Sequence, residues 1–209
     1  MNEQEIIKAY KQIAQKKRDQ KRAIRIAKIQ EISKGNKELN IEETYPIILA
    51  DPAWHYTFGN EERNIQINYP TMSHQDICAL PVSKLATKDA LLFLWATSPK
   101  LHEAMDVLKA WQFDYKTCAV WVKNRPITGY YFRQQHELLL IGTKGNGIPT
   151  PRPENRPVSI IPGLVREHSR KPDELYEIIE KMYPELKKIE LFARNRREGW
   201  TAWGNEIME

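Results

Sequence analysis

An α/β fold built on a mostly parallel sheet is the architecture this sequence predicts, and three observations predict it. Six apolar runs read as strands: PIILAD, ALLFLWAT, KTCAVWVK, HELLLIGT, VSIIPGLV and KKIELFAR. Two stretches with helical spacing lie among them, SPKLHEAMDVLKAWQ and KPDELYEIIEKMY. The strand runs are nearly continuous in hydrophobicity rather than alternating, which is the pattern of strands covered on both faces. With 209 residues, 41% hydrophobic and 28% charged, the chain suffices for one core and an appendage. The expected division is a basic helical extension over 1–40 and an α/β domain over 41–209.

The extension comes first. Residues 1–40 hold eleven Lys/Arg against five Asp/Glu, a net of +6, whereas the remaining residues hold 21 against 22, a net of −1. No Pro and no Gly occurs before Gly35, so the segment predicts a helix, with Ile6, Tyr10 and Ile13 on one apolar stripe and Ile26, Ile29 and Ile32 on another. Three readings stand: a basic helix that follows nucleic-acid phosphates, a solvated helix face, or a helix whose isoleucines dock on the domain or on a second subunit.

The first strand, IILAD, stops at Asp51, because Pro52 can donate no ladder hydrogen bond. In open α/β sheets ligands bind beyond the carboxyl ends of the strands, so the Asp51 carboxylate stands where chemistry is expected. Ser98-Pro99 opens the first helix and Pro172 takes the first position of the second. Lys144 to Pro157, KGNGIPTPRPENRP, is a proline-punctuated loop.

Several functions are excluded by what is missing. GTKGNG has neither dinucleotide-fingerprint spacing nor the Lys-Ser/Thr of a phosphate loop, and no H-x-E with P-C-x-x-C marks a base deaminase. Cys78 and Cys118 suggest no zinc site or disulfide and read as small buried hydrophobes. His55, His74, His102 and His168 are scattered, so no metal is expected, and His136 reads as a strand cap. Trp95, Trp111, Trp121 and Trp203 read as core. The longest apolar run, Ala90 to Ala96, is far below the roughly 20 residues that span a bilayer, and the N-terminus lacks signal-peptide order. A cytoplasmic protein with no membrane partner is expected.

The tetrapeptide DPAW, Asp51 to Trp54, can prepare an adenine amine for attack. The amine's lone pair is delocalised into the ring; two acceptors that take its N–H bonds, the Asp51 carboxylate and the Pro52 carbonyl, leave that lone pair aimed out of plane. Trp54 can stack on the held base, which in a duplex must first be flipped out. The plain alternative is an Asp-Pro turn at a strand end.

ADPAW, YPTMS, LFLWAT, VWVK, HELLLIGTKGN, SRKPDELYEIIEKMYPELKKIELFAR and WTAWGNE occur in an order that resembles the METTL-type methyltransferases, the enzymes of mRNA adenosine N(6)-methylation and their bacterial and phage DNA-modifying relatives. The resemblance spans about Tyr45 to Glu206. It implies a Rossmann-like methyltransferase fold with S-adenosyl-L-methionine as donor, and it maps the family's D-P-P-aromatic motif onto Asp51, Pro52, Ala53 and Trp54, Ala53 departing from the usual second proline. It further implies that Tyr69 approaches the substrate, and that Asp51, Lys171, Arg194, Asn205 and Glu206 contact the donor, Lys171 through the methionyl carboxylate and the last two through a ribose diol. For Lys171 the plain alternative is a solvated lysine at a helix N-terminus. Arg166 and Arg170, on the approach to Lys171, are candidates for substrate phosphates. The implied function is methylation of adenine N(6) in nucleic acid, DNA favoured, in a bacterial or phage-host cytoplasm. The alternatives are an RNA enzyme or a non-catalytic nucleic-acid-binding subunit, and a homodimer or a related partner subunit is compatible with either.

Overall fold

The computed structural model describes residues 3–34, 38–39, 41–56, 71–127, 129, 131–166 and 170–207. Its centre is a seven-stranded sheet in the order β5-β3-β4-β2-β1-β6-β7. The strands are β1 (Tyr45–Ala50), β2 (Ala86–Ala96), β3 (Asp114–Val122), β4 (His136–Lys144), β5 (Ile160–Ile161), β6 (Lys188–Leu191) and β7 (Trp200–Trp203). β1 pairs in parallel with β2 and β6, β6 with β7 and β3 with β5, whereas β4 is antiparallel to both β2 and β3. Six strands therefore run one way and β4 alone runs back. Its reversal follows from the chain: no helix separates the KTCAVWVK and HELLLIGT runs, and consecutive strands without a crossover pair as a hairpin.

Both faces of the sheet are covered. Ile48, Leu92, Leu94, Leu140 and Leu191 point to a core shared with α2 (His74–Ala79), α3 (Val82–Leu85) and α4 (Leu101–Ala110), through Ile77, Val82, Leu85, Val107 and Leu108. Ile47, Leu49, Leu91, Phe93, Trp95 and Leu139 point the other way, against Leu175, Ile179 and Tyr183 of α5 (Glu174–Met182) and the segment that follows it. The period-two split of single strands, Ile47 and Leu49 against Ile48 and Ala50, is what a two-sided sheet demands of residues that are all apolar.

Departures from the expected elements have local causes. VSIIPGLV shrinks to two residues because Pro162 ends the ladder and Gly163 turns away at φ +131°. WTAW forms an edge strand too short to read from periodicity, and α2 and α3, six and four residues long, share that limit. Cys78 and Cys118 are half-buried rather than buried. Trp95, Trp111 and Trp121 are core residues, while Trp203 is partly exposed. His136 opens β4 and meets Ser98 Oγ at 2.9 Å; His168 lies outside the described residues.

The basic extension is the helix α1 (Glu3–Lys34). Its described side chains are all exposed except that of Ala14, and Ile6, Tyr10 and Ile13 are 52%, 75% and 56% exposed. The first apolar stripe thus does not dock on the domain; in the second, Ile26 is exposed, and the Ile29 and Ile32 side chains lie outside those described. Among the described residues no helix is long and apolar enough to cross a membrane.

Gly204, just past β7, is required by close approach. A Cβ there would lie 2.1 Å from the Ala193 carbonyl oxygen, because the Ala193 N–H reaches the Trp203 carbonyl at 2.9 Å and draws the two chains together. Backbone cannot yield as a side chain would, so Gly204→Ala is expected to destabilise the protein by about 2 kcal/mol or more, read as a lowered melting temperature.

Candidate active site

The parallel strands β1, β2 and β6 end on one rim, and the residue after β1 is Asp51. Its N–H still reaches the Leu191 carbonyl at 3.4 Å, so the acid is held at the last rung of the ladder between β1 and β6. Both carboxylate oxygens accept from Lys171 Nζ, at 2.8 and 2.7 Å, from the segment leading into α5. Lys171 also faces Glu137 Oε2 at 3.4 Å, and Glu137 Oε1 accepts from Lys123 Nζ at 2.5 Å. Four alternating charges thus run from the end of β3 through β4 to the end of β1.

Burial, the largest influence on Asp51, raises its carboxyl above the usual range; the Lys171 charge opposes it, Glu137 adds to it, and Arg194 opposes it more weakly. Glu137 goes the other way: burial pushes it up, but Lys171 and Lys123 outweigh burial and hold it low. A buried carboxylate survives as a charge only when so compensated.

A pocket opens beside this chain of charges. Asp51, Lys171, Arg170, Asp173, Glu190, Arg194 and Asn195 supply its polar lining, and Leu49, Trp95, Pro172, Leu175, Tyr176 and Phe192 complete the wall. Phe192 follows β6 at φ +65°, a left-handed conformation costly for a bulky side chain, and the turn brings Arg194 back over the rim. Arg194 Nε lies 3.5 Å from Glu206 Oε1, tying the β6 end to the turn after β7 that carries Asn205.

Asp51, Lys171 and Arg194 therefore converge on one pocket, and Glu206 joins through Arg194. Asn205 and Glu206 stand beside the lining rather than in it. Other expected roles need correction. Lys171 is not a solvated helix-terminal lysine: its ammonium is engaged by Asp51 and Glu137, over the Trp95 ring at 5.6 Å. Trp54 offers no open stacking face: it is 4% exposed, and its Nε1–H donates to the Trp95 carbonyl at 3.2 Å, fastening the tetrapeptide to β2. The Pro52 carbonyl accepts the Trp54 N–H at 2.8 Å, which occupies one of its two lone pairs and leaves one. Arg166 and Arg170 both bind the Asp173 carboxylate at the entry to α5 and keep exposed guanidinium surface. Burial would raise that acid; the two guanidinium hydrogen bonds more than offset it. Tyr69 lies outside the described residues.

Lys123, Glu137, Tyr176 and Glu190 were not singled out from the sequence. A signal existed: Lys123, Glu137 and Glu190 are charges inside or beside the apolar runs VWVK, HELLLIG and KIELFAR, and buried charges are rarely placed without a partner.

The sequence profile of the MT-A70 family matches residues 45–206. A Type II methyltransferase M.MunI of Mycoplasma sp is 37% identical over 182 residues, covering 78% of this chain and 78% of its own length. An N(6)-adenosine-methyltransferase MT-A70-like protein of Arabidopsis thaliana is 32% identical over 81% of this chain and 24% of its own length. The human N(6)-adenosine-methyltransferase catalytic subunit METTL3 is 28% identical over 81% of this chain and 29% of its own length. The chain thus spans most of the Mycoplasma relative and under a third of the two eukaryotic ones.

Glu190 gives the site a pH signature. Burial lifts its carboxyl to about 7, with the Tyr176 hydroxyl, which donates to it at 2.7 Å, pulling in the opposite direction. A folded-state value raised above the unfolded one means that Glu190 is tolerated while protonated and costs stability once ionised. Its penalty is absent below about pH 4.5 and complete above about pH 7. The melting temperature of wild type should fall across that window relative to Glu190→Gln, with a difference of no more than about 3 kcal/mol above it. Parallel pH curves for the two proteins would contradict this.

Proposed function

Because the chain belongs to the MT-A70 family of adenine methyltransferases, we propose that the rim around Asp51 transfers a methyl group to the N(6) amine of adenine in nucleic acid, DNA in preference to RNA. The observation that carries this reading is the position of Asp51, at the carboxyl end of a central parallel strand, open to a pocket of mixed polar and apolar lining. MT-A70 methyltransferases use S-adenosylmethionine, which when bound supplies an electrophilic methyl carried on a sulfonium.

The residues present fit such a donor. The pocket pairs cations able to meet a carboxylate, Lys171 and Arg194, with apolar wall from Leu49, Trp95 and Phe192, and sets them against acids able to accept from hydroxyls and amines. In the proposed assignment Lys171 and Arg194 face the donor's carboxylate end, and Asn205 and Glu206, on the turn tied to Arg194, take its ribose. Asp51 accepts one amine N–H of the target adenine, and the free lone pair of the Pro52 carbonyl accepts the other. Trp54 serves by locking that turn. Ala53 sits between them, and its carbonyl accepts the Met72 N–H at 2.9 Å; the turn holds without a second proline. For Asp51 to accept, it must be ionised, which Lys171 favours against burial.

Preference for DNA rests on similarity: the chain is 37% identical to the Type II methyltransferase, against 32% and 28% to the Arabidopsis and human adenosine enzymes. Asp51, Pro52 and Trp54 are all present, which favours an active enzyme over a non-catalytic partner. Nucleoside mass spectrometry after incubation with duplex DNA, single-stranded DNA and RNA tests the reading. N(6)-methyladenine is the expected product, and methylcytosine alone would refute it. Asp51→Ala should abolish transfer, a loss of at least about 100-fold from one removed transition-state acceptor, while donor affinity measured by calorimetry is partly retained; wild-type-like turnover in that variant would overturn the assignment.

The α1 helix is proposed to supply general attraction to phosphates, since it carries the basic excess and its described charged side chains are exposed. Removing residues 1–40 should weaken nucleic-acid binding and flatten its salt dependence, each lost phosphate contact lowering the log–log slope by about 0.9 on duplex DNA. An unchanged slope together with a lowered melting temperature or a dissociated dimer would instead make the helix a structural element.

A further inference from the structure

Behind the pocket, and outside its lining, Lys123 and Glu137 form a pair in which each residue is 8% exposed. Both stand at the end of the β3–β4 ladder where the connecting segment joins the two strands, with Trp121 opposite Glu137 and the Lys123 N–H reaching the Gln135 carbonyl at 2.8 Å. A buried ion pair contributes little net stability compared with apolar side chains of the same volume, so stability alone is a weak reason for this one. Its geometry gives a better reason. Glu137 divides its oxygens, Oε1 to Lys123 at 2.5 Å and Oε2 toward Lys171 at 3.4 Å, while Lys171 divides its ammonium between Glu137 and Asp51.

We propose that Lys123 and Glu137 are positioning residues: together they set how much of the Lys171 ammonium reaches Asp51, and so whether Asp51 stands ready to accept the target amine. The clause about the amine rests on the function proposed above; the division of charge does not. When Lys123 neutralises Glu137, Lys171 is released toward Asp51. Without Lys123, Glu137 becomes an undiluted competitor for the same ammonium and a like charge near Asp51. Without the Glu137 charge, Asp51 no longer shares Lys171 with it. Among the described residues the other charged and titratable groups around Asp51, namely Glu190 near the end of β6, Arg194 beyond it, Tyr176 on α5, and Arg170 and Asp173 of the same pocket, are the same in every variant.

The two substitutions therefore push Asp51 in opposite directions, which a purely structural pair would not do. The Asp51 carboxyl carbon is followed by NMR across pH in the full-length protein without added ligand. Glu137→Gln should lower its titration midpoint and Lys123→Met should raise it, each by about one pH unit, with Lys123→Arg close to wild type. The acid limb of the methyl-transfer pH profile should move with the NMR midpoint, while donor affinity changes less than kcat. Near-UV circular dichroism confirms folding; should Lys123→Met not fold, Lys123→Gln replaces it. Shifts in the same direction, or none in folded variants, overturn the proposal. Opposite NMR shifts in a protein that methylates no adenine leave the positioning role standing and overturn the proposed function instead.

Discussion

The Asp51–Lys171 pair is the constraint around which the rim is arranged. An aspartate at the end of a central strand, walled by Trp95 and the sheet, is pushed by burial toward its neutral form, in which it accepts less well and offers a proton that an amine does not need. The ammonium opposes that push. It must come from outside the sheet, and it arrives from the segment before α5, whose Leu175 and Ile179 are anchored in the core on that face. The packing of α5 therefore decides the electrostatics of a residue 120 positions earlier.

The edge of the sheet serves the same end. β6 and β7 extend the parallel ladder beyond β1, and their carboxyl ends carry Glu190, Arg194, Asn205 and Glu206 to one side of Asp51. The left-handed Phe192 and the close approach at Gly204 make that turn compact, at a local backbone cost that the paired strands sustain. On the far side Glu180 binds Arg197 through both oxygens, at 2.6 and 2.8 Å, and accepts from Trp200 Nε1 at 2.7 Å, so α5 and β7 cannot shift independently.

Charge is unevenly placed along the chain. The remainder of the chain is near neutral and joins Lys123, Glu137, Lys171 and Asp51 in one series of opposite charges, whereas residues 1–40 carry +6 and the described charged side chains of α1 are exposed. Arg166 and Arg170, on the approach to Lys171, are held by Asp173. In the proposed function a polyanion would find its long-range attraction on the helix and its reactive atoms on the rim.

Periodicity and punctuation in the sequence determined strands β1 to β4 and β6, the place but not the length of β5, the two long helices of the domain, the helical extension and the end of β1 at Asp51, because backbone propensity, apolar patterning and the missing N–H of proline act within a few residues. The motif order was enough to bring Asp51, Lys171 and Arg194 together as candidates. The tertiary structure alone decided that Lys171 binds Asp51, that Trp54 is buried and fastened to β2, that two arginines meet Asp173, and that Lys123 and Glu137 continue the series of charges from Lys171. Those facts depend on which side chains meet across strands distant in sequence, and on how burial changes a charge once they have met, neither of which leaves a local period to read.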